Sequence, residues 1–282
     1  MHLEDFAVGQ QWRSGARTIT DDDLATFTRV SGDENLLHTD PQHAKELGFP
    51  APVLQGPFGI AALFGLMHEM GIVADTAIAL LDLDWSFSAP LLVGDRVHFE
   101  MTITRCRRSS RGDRGVVNRA LRLVNGDGTT VQHGTSAMLV RARDTGGPVD
   151  AGGPVDAGRD FGTREWAQRL APLLADHPDF ADATAAFDGS IALAAGREAV
   201  QLRIYRGRVL ETARSTPAGP TFTVAGSELA WVQLAASSRN DYIARAMRGD
   251  FSASGNTHEY LRMTKAVVTA WDAIRELAGM AT

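Results

Sequence analysis

Cysteine is nearly absent from this chain: Cys106 stands alone in 282 residues. One thiol cannot form a disulfide framework or a cysteine zinc site within one chain, which fits a reducing compartment. Long apolar runs are also missing. The longest apolar helix candidate, Ile60 to Met67, falls far short of the roughly 18 residues that span a bilayer. The opening MHLEDFAVGQQW has neither the basic nor the apolar region of a signal peptide. The closing ELAGMAT is no retention or peroxisomal signal, so a cytoplasmic protein is expected. An excess of positive charge is missing as well. The net charge of -6 gives no electrostatic reason to expect nucleic acid or an anionic membrane as partner.

What is present is an ordinary globular composition, 44% hydrophobic and 22% charged. Its length suggests two domains. The hexapeptide GGPVDA occurs twice in tandem, at Gly146–Ala151 and Gly152–Ala157. Glycine and proline together oppose helix and ladder, and structureless loops beyond about 12–15 residues are uncommon inside domains. The segment 145–159 therefore reads as a linker between domains at 1–144 and 160–282.

In the first domain, DDDLATFTRVSG predicts a helix over 21–32, capped by Asp21 or Asp22 and stopped by Gly32. Leu24, Phe27 and Val30 recur at helical spacing. DPQHAKELGF predicts a shorter helix with Asp40 as cap and Pro41 at its first position. PFGIAALFGLMHEMG is apolar nearly all round, which places it in a core. Beyond Gly71, alternate positions are apolar, as in Val97, Phe99, Met101 and Ile103. Turn signals at Gly94-Asp95, Arg111-Gly112-Asp113 and Asn125-Gly126-Asp127-Gly128 divide four antiparallel strands. The expected class is α+β, a sheet wrapped round a buried helix.

The stretch GDENLLH places Asp33, Asn35 and His38 close together before a helix. By spacing alone, a polar capping turn and an acid–base pair are both open. Asn35 fits an Asx-turn that fixes the loop.

With APVLQGPFG and FSAPLLVGD following, the segment resembles the MaoC-like, R-specific enoyl-CoA hydratase family over residues 5–143. The resemblance implies a hotdog fold, a long helix cupped by a curved antiparallel sheet. It implies a hydro-lyase that adds water reversibly to a trans-2-enoyl-CoA, giving the (3R)-3-hydroxyacyl product. Asp33 and His38 would handle protons, Asn35 would order the loop, and the Gly56 N–H would hold the thioester oxygen. Partial burial would tune both ionisable groups. No cofactor and no metal are expected; the coenzyme A thioester is the substrate. At least a homodimer is implied. Two residues depart from the family pattern: Leu36 where proline is usual and Gln55 where histidine is usual. The basic run RCRRSSRGDR reads either as a contact for coenzyme A phosphates or as a solvated hairpin. Cys106 reads as incidental, at a sheet edge or turn.

The second domain opens with a predicted helix, Arg164 to Leu174. The strand-like runs SIALAA, AVQLRIYRGRVL and TFTVAG follow, with turns at Gly196 and Gly207. ELAWVQLAAS and DYIARAMRGDF look helical. HEYLRMTKAVVTAWDAIRELA reads as one closing helix with Leu261, Val268, Trp271 and Ile274 on its apolar face. The order of elements resembles the sterol carrier protein family, which implies that MRGDFSASGN ends in a strand and qualifies the helix reading around Phe251. That implies an α+β domain with an acyl or sterol ligand, although Phe222, Trp231 and Trp271 read equally as core. Two other functions stay open: a hotdog acyl-CoA thioesterase, and a lipid-binding protein whose hydratase module is inactive.

Overall fold

The computed structural model describes residues 1–143 and 153–279. These fall into two compact units. The first holds 1–103 and 107–143, and the second holds 104–106 and 153–279.

The first unit begins with two short strands, β1 (Gln11–Arg13) and β2 (Arg17–Thr18). Three helices follow: α1 (Asp21–Ser31), α2 (Leu36–Thr39) and α3 (Pro41–Glu46). Then come α4 (Gly56–Glu69) and four strands: β3 (Ala77–Phe87), β4 (Arg96–Arg108), β5 (Arg114–Val124) and β6 (Thr130–Arg141). The sheet runs β1-β4-β5-β6-β3, with β2 also on β4. The alternating apolar positions become one buried face: Val97, Phe99, Met101 and Ile103 are each at most 1% exposed.

The cap of α1 is Thr20, not Asp21 or Asp22. Its hydroxyl accepts from the Asp23 N–H, and the Asp23 carboxylate accepts from the Thr20 N–H. Gly32 ends the helix at φ 71°, a left-handed conformation that suits glycine. Val30 does not share the face of Leu24. Successive three-residue steps each lag a full turn, and Val30 ends 77% exposed.

Helix α4 buries Phe58, Gly59, Ala62, Leu63, Leu66 and Met67. It meets α1 through Phe27 and Phe58, whose rings pack edge-on at 5.5 Å. It meets the sheet through Arg119 on β5 and Gln132 on β6. This is the helix-on-sheet arrangement that the hotdog resemblance implied. The burial is one-sided, however: Pro57, Ala61 and His68 are exposed on the other face. An apolar surround alone did not predict that open side.

Arg119 is 2% exposed and has no carboxylate partner among the described residues. Its guanidinium donates to Ser136 Oγ at 3.1 Å and to Met67 Sδ at 3.0 Å, and lies 5.6 Å from the Phe64 ring centroid. Burial pushes its pKa down to about 10. The folded state therefore disfavours the charged form, at a cost present throughout the range below pH 10. Replacing an ill-compensated buried charge by a residue of similar shape commonly stabilises. Arg119→Met is expected to raise stability by about 1–2 kcal/mol in urea unfolding. A loss of that size would mean that the guanidinium contributes net stability.

The second unit contains α5 (Arg164–Asp176), α6 (Pro178–Ala183), β7 (Asp188–Ala195), β8 (Glu198–Tyr205), β9 (Arg208–Ala213) and β10 (Phe222–Gly226). Next are α7 (Glu228–Ala235), α8 (Tyr242–Met247), β11 (Phe251–Gly255), α9 (Thr257–Arg262) and α10 (Thr264–Leu277). Its sheet runs β11-β10-β7-β8-β9, with β10 parallel to β7. The helix read from Asp241 breaks after Met247. Gly249 turns the chain at φ 89°, and Phe251 starts β11. The closing helix is two helices, interrupted at Met263. Leu261 is consequently off the buried face at 66% exposed and Val268 is half-buried, while Val267, Trp271 and Ile274 are buried.

Residues 153–159, which composition assigned to the linker, are hydrogen-bonded. The Gly158 carbonyl accepts from Trp166 Nε1 at 3.2 Å, and Arg159 Nε donates to the Ala278 carbonyl at 2.9 Å. Residues 145–152 of that expectation lie outside the described residues.

Candidate functional site

The site is built on the segment 52–56. Leu54 N–H donates to the Leu91 carbonyl at 2.8 Å, and Val93 N–H donates to the Pro52 carbonyl at 3.2 Å. Val53 and Leu54 are buried, so this segment is a fixed ledge. Its carbonyl at Val53 faces the His38 ring, and Gly56 at its end opens α4.

His38 sits in the short helix α2, not in an open loop. Asn35 caps that helix, its Oδ1 accepting from the Leu37 N–H at 2.9 Å. The Asx-turn and the loop-ordering reading of Asn35 thus describe one contact. Leu36, the residue in place of the usual proline, is 55% exposed at the first position of α2. There a proline's fixed φ would suit the helix and its missing N–H would cost nothing.

His38 Nδ1 lies 2.6 Å from the Val53 carbonyl oxygen. A carbonyl only accepts, so Nδ1 carries the proton. In the neutral ring Nε2 is then an acceptor. It lies 3.6 Å from Asp33 Oδ2. That gap is too long for a direct hydrogen bond. It places two acceptors side by side, and one water can donate a hydrogen to each of them. The lone pairs of such a water are left for an electrophile. The His38 side chain is 11% exposed and that of Asp33 is 48% exposed.

Gly56 is the first residue of α4, so its N–H has no acceptor within the helix. The helix dipole favours negative charge at that end. The Gly56 carbonyl accepts from Gln132 Nε2 at 3.1 Å, and Gln132 Oε1 accepts from Trp85 Nε1 at 3.0 Å. A Cβ on Gly59 would lie 2.4 Å from the Gln132 amide, which explains glycine there. This support was not legible in sequence, because Gln132 lies 76 residues from Gly56.

Beside His38 an open cleft of about 500 Å³ is lined by Leu24, Ala25, Thr28, Arg29 and Glu34, among others. Among the described residues no cluster of three or more His, Cys, Asp or Glu could hold a metal. No helix of the described residues is long and apolar enough to cross a membrane.

Three arginines of the basic run are held in ion pairs, and Arg111 is exposed. Within the second unit, Arg105 is paired with Asp160 and Glu228, each at 2.8 Å. In the first unit Arg108 pairs with Glu4 and Arg114 with Asp113. Cys106 is buried within β4 and not at a turn. Burial, reinforced by Asp156, pushes its thiol up to about 12, which outweighs its cationic neighbours. Cys106 is expected to resist alkylation of the native protein at neutral pH; rapid labelling detected by mass spectrometry would contradict this.

Comparison with known proteins places the matched region over this site. The MaoC like domain matches residues 5–123. The (R)-specific enoyl-CoA hydratase of Aeromonas caviae is 32% identical over 108 residues, covering 38% of this chain and 78% of that protein. The 3-hydroxyacyl-thioester dehydratase Y of Mycobacterium tuberculosis is 37% identical over 79 residues. That match covers 27% of this chain and 26% of the other, so the chain spans about a quarter of that relative. The crystal structure of a MaoC-like dehydratase from Rhodospirillum rubrum is 27% identical, with a TM-score of 0.47. It covers 51% of this chain and 99% of that one.

Proposed function

This chain belongs to the MaoC-like family of hydratases and dehydratases, and from that premise we propose that its first unit reversibly hydrates a trans-2-enoyl-CoA to the (3R)-3-hydroxyacyl-CoA. The observation that carries the proposal is the pair of acceptors, His38 Nε2 and Asp33 Oδ2, 3.6 Å apart beside the start of α4.

Water held between them attacks Cβ of the conjugated thioester. One O–H bond breaks, and the pair accepts that proton. The C=C π bond opens toward the carbonyl, and negative charge collects on the thioester oxygen. The Gly56 N–H, preorganised at the helix start, stabilises that oxygen. A proton then passes from the pair to Cα. Water has added across the double bond, and no electrons are gained or lost overall. Asn35 holds α2 and so the position of His38.

Crotonyl-CoA tests this reading directly. Hydration removes the enoyl absorbance and leaves the thioester intact. Release of free thiol would point to a thioesterase instead. Unchanged absorbance together with co-purified lipid would point to a lipid-binding protein with an inactive hydratase module.

We also infer a homodimer. Its support is the open face of α4 and the edge strand β3, on which Ile78, Leu80, Leu81 and Phe87 are 41–57% exposed. Such an edge and apolar face call for cover. A monomer by light scattering at micromolar concentration would refute it. For the second unit we propose an acyl or sterol ligand, a reading that rests on the resemblance of its sequence to the sterol carrier protein family. Its tryptophans pack on each other, so they serve as core and not as lining.

A further inference from the structure

Gln55 precedes Gly56 and is 2% exposed, an unusual position for a glutamine with no charge to satisfy. Its Nε2 donates to Thr28 Oγ1 on α1 at 2.9 Å and to the Asp33 main-chain carbonyl at 3.1 Å. Only one amide orientation is compatible with this, because the Asp33 carbonyl can only accept. In that orientation Oε1 is buried without a hydrogen-bond partner. A buried acceptor left unpaired is costly, so the donor end of this side chain must be worth that cost.

The same side chain belongs to the ledge whose two ends serve the site. Two residues before it, Val53 holds His38; one residue after it, Gly56 presents its N–H. Among the described residues the other hydrogen bonds of Asp33 are local, its N–H donating to Ser31 Oγ at 3.2 Å and its Oδ1 accepting from the Asn35 N–H at 3.4 Å.

We propose that Gln55 is a positioning residue: it ties the Asp33 loop to the His38–Gly56 ledge and so sets the gap in which water is held. The inference rests on the hydratase reading of that gap. It assigns a function to the residue at which this chain departs from the histidine of its family. It also makes Thr28 the outer anchor, since Thr28 fixes the amide that fixes Asp33.

The test compares wild type with Gln55→Leu, Gln55→His and Gln55→Glu on crotonyl-CoA. Gln55→Leu keeps the buried bulk and removes the donor. It is expected to lower kcat about 10–100-fold while KM changes less than about 3-fold, because remote contacts with the acyl thioester are kept. Gln55→His restores a donor and is expected to recover most of kcat. Gln55→Glu turns the donor into an acceptor against the Asp33 carbonyl and is expected to be the poorest variant. Amide hydrogen exchange over residues 33–38 is expected to speed up about 10-fold in Gln55→Leu, a readout that needs no substrate. An active wild type with Gln55→Leu unchanged in both kcat and exchange overturns the positioning role. Faster exchange in Gln55→Leu, with a wild type inactive on every enoyl thioester, overturns the hydratase reading and leaves the tie in place.

Discussion

His38→Ala is expected to lower kcat for enoyl-thioester hydration by about 10²–10⁴-fold with the fold intact. The ring holds its proton on Nδ1 against the Val53 carbonyl and turns Nε2 toward Asp33. Removing it deletes one of the two acceptors that position water. Asp33→Asn is expected to cost a similar factor, because an amide nitrogen or a weaker acceptor replaces the carboxylate. The side chain of Asp33 is 48% exposed, and His38→Ala removes one hydrogen bond to the Val53 carbonyl, worth about 1 kcal/mol, so neither change should unfold the unit. Circular dichroism and unfolding curves check that point. The double variant is expected to be little worse than either single one, since the pair acts as a unit. Near-normal turnover in either single variant would remove that residue from the chemistry.

The second large effect lies in the other unit and concerns stability. Trp231→Ala is expected to destabilise it by about 3–5 kcal/mol. Trp231 is 0% exposed. Its ring lies 4.5 Å from Trp271, 5.7 Å from Phe161 and 5.8 Å from Trp166 by centroids. Its Nε1 donates to the Ala194 carbonyl at 2.8 Å, so truncation also removes a hydrogen bond to β7. Denaturant unfolding measures the loss. A change below about 1 kcal/mol would mean that the neighbouring rings close over the gap, contrary to close packing.

The elements were legible where one physical signal dominated. Alternation along 97–103 became the buried face of β4, and Asp40 with Pro41 gave α3 its start. Errors arose where a local signal competed with a neighbour. Thr20 captured the cap of α1 because Asp23 returns its hydrogen bond. Leu261 left the apolar face because Met263 interrupts the helix. The site was legible in part. GDENLLH suggested Asp33, Asn35 and His38, and only the family resemblance separated chemistry from capping. The contacts that shape it join residues far apart in the chain: Val53 to His38, Gln55 to Thr28 and Asp33, Gln132 to Gly56. No periodicity or motif encodes such pairs, since each depends on how α1, the ledge and β6 come together.

The most direct measurement is chiral analysis of the product formed from a panel of trans-2-enoyl-CoA chain lengths. Hydration at the His38–Asp33 pair gives (3R)-3-hydroxyacyl-CoA with the thioester intact, formed by wild type and lost in His38→Ala. A (3S) product, free coenzyme A, or no product at any chain length would contradict it.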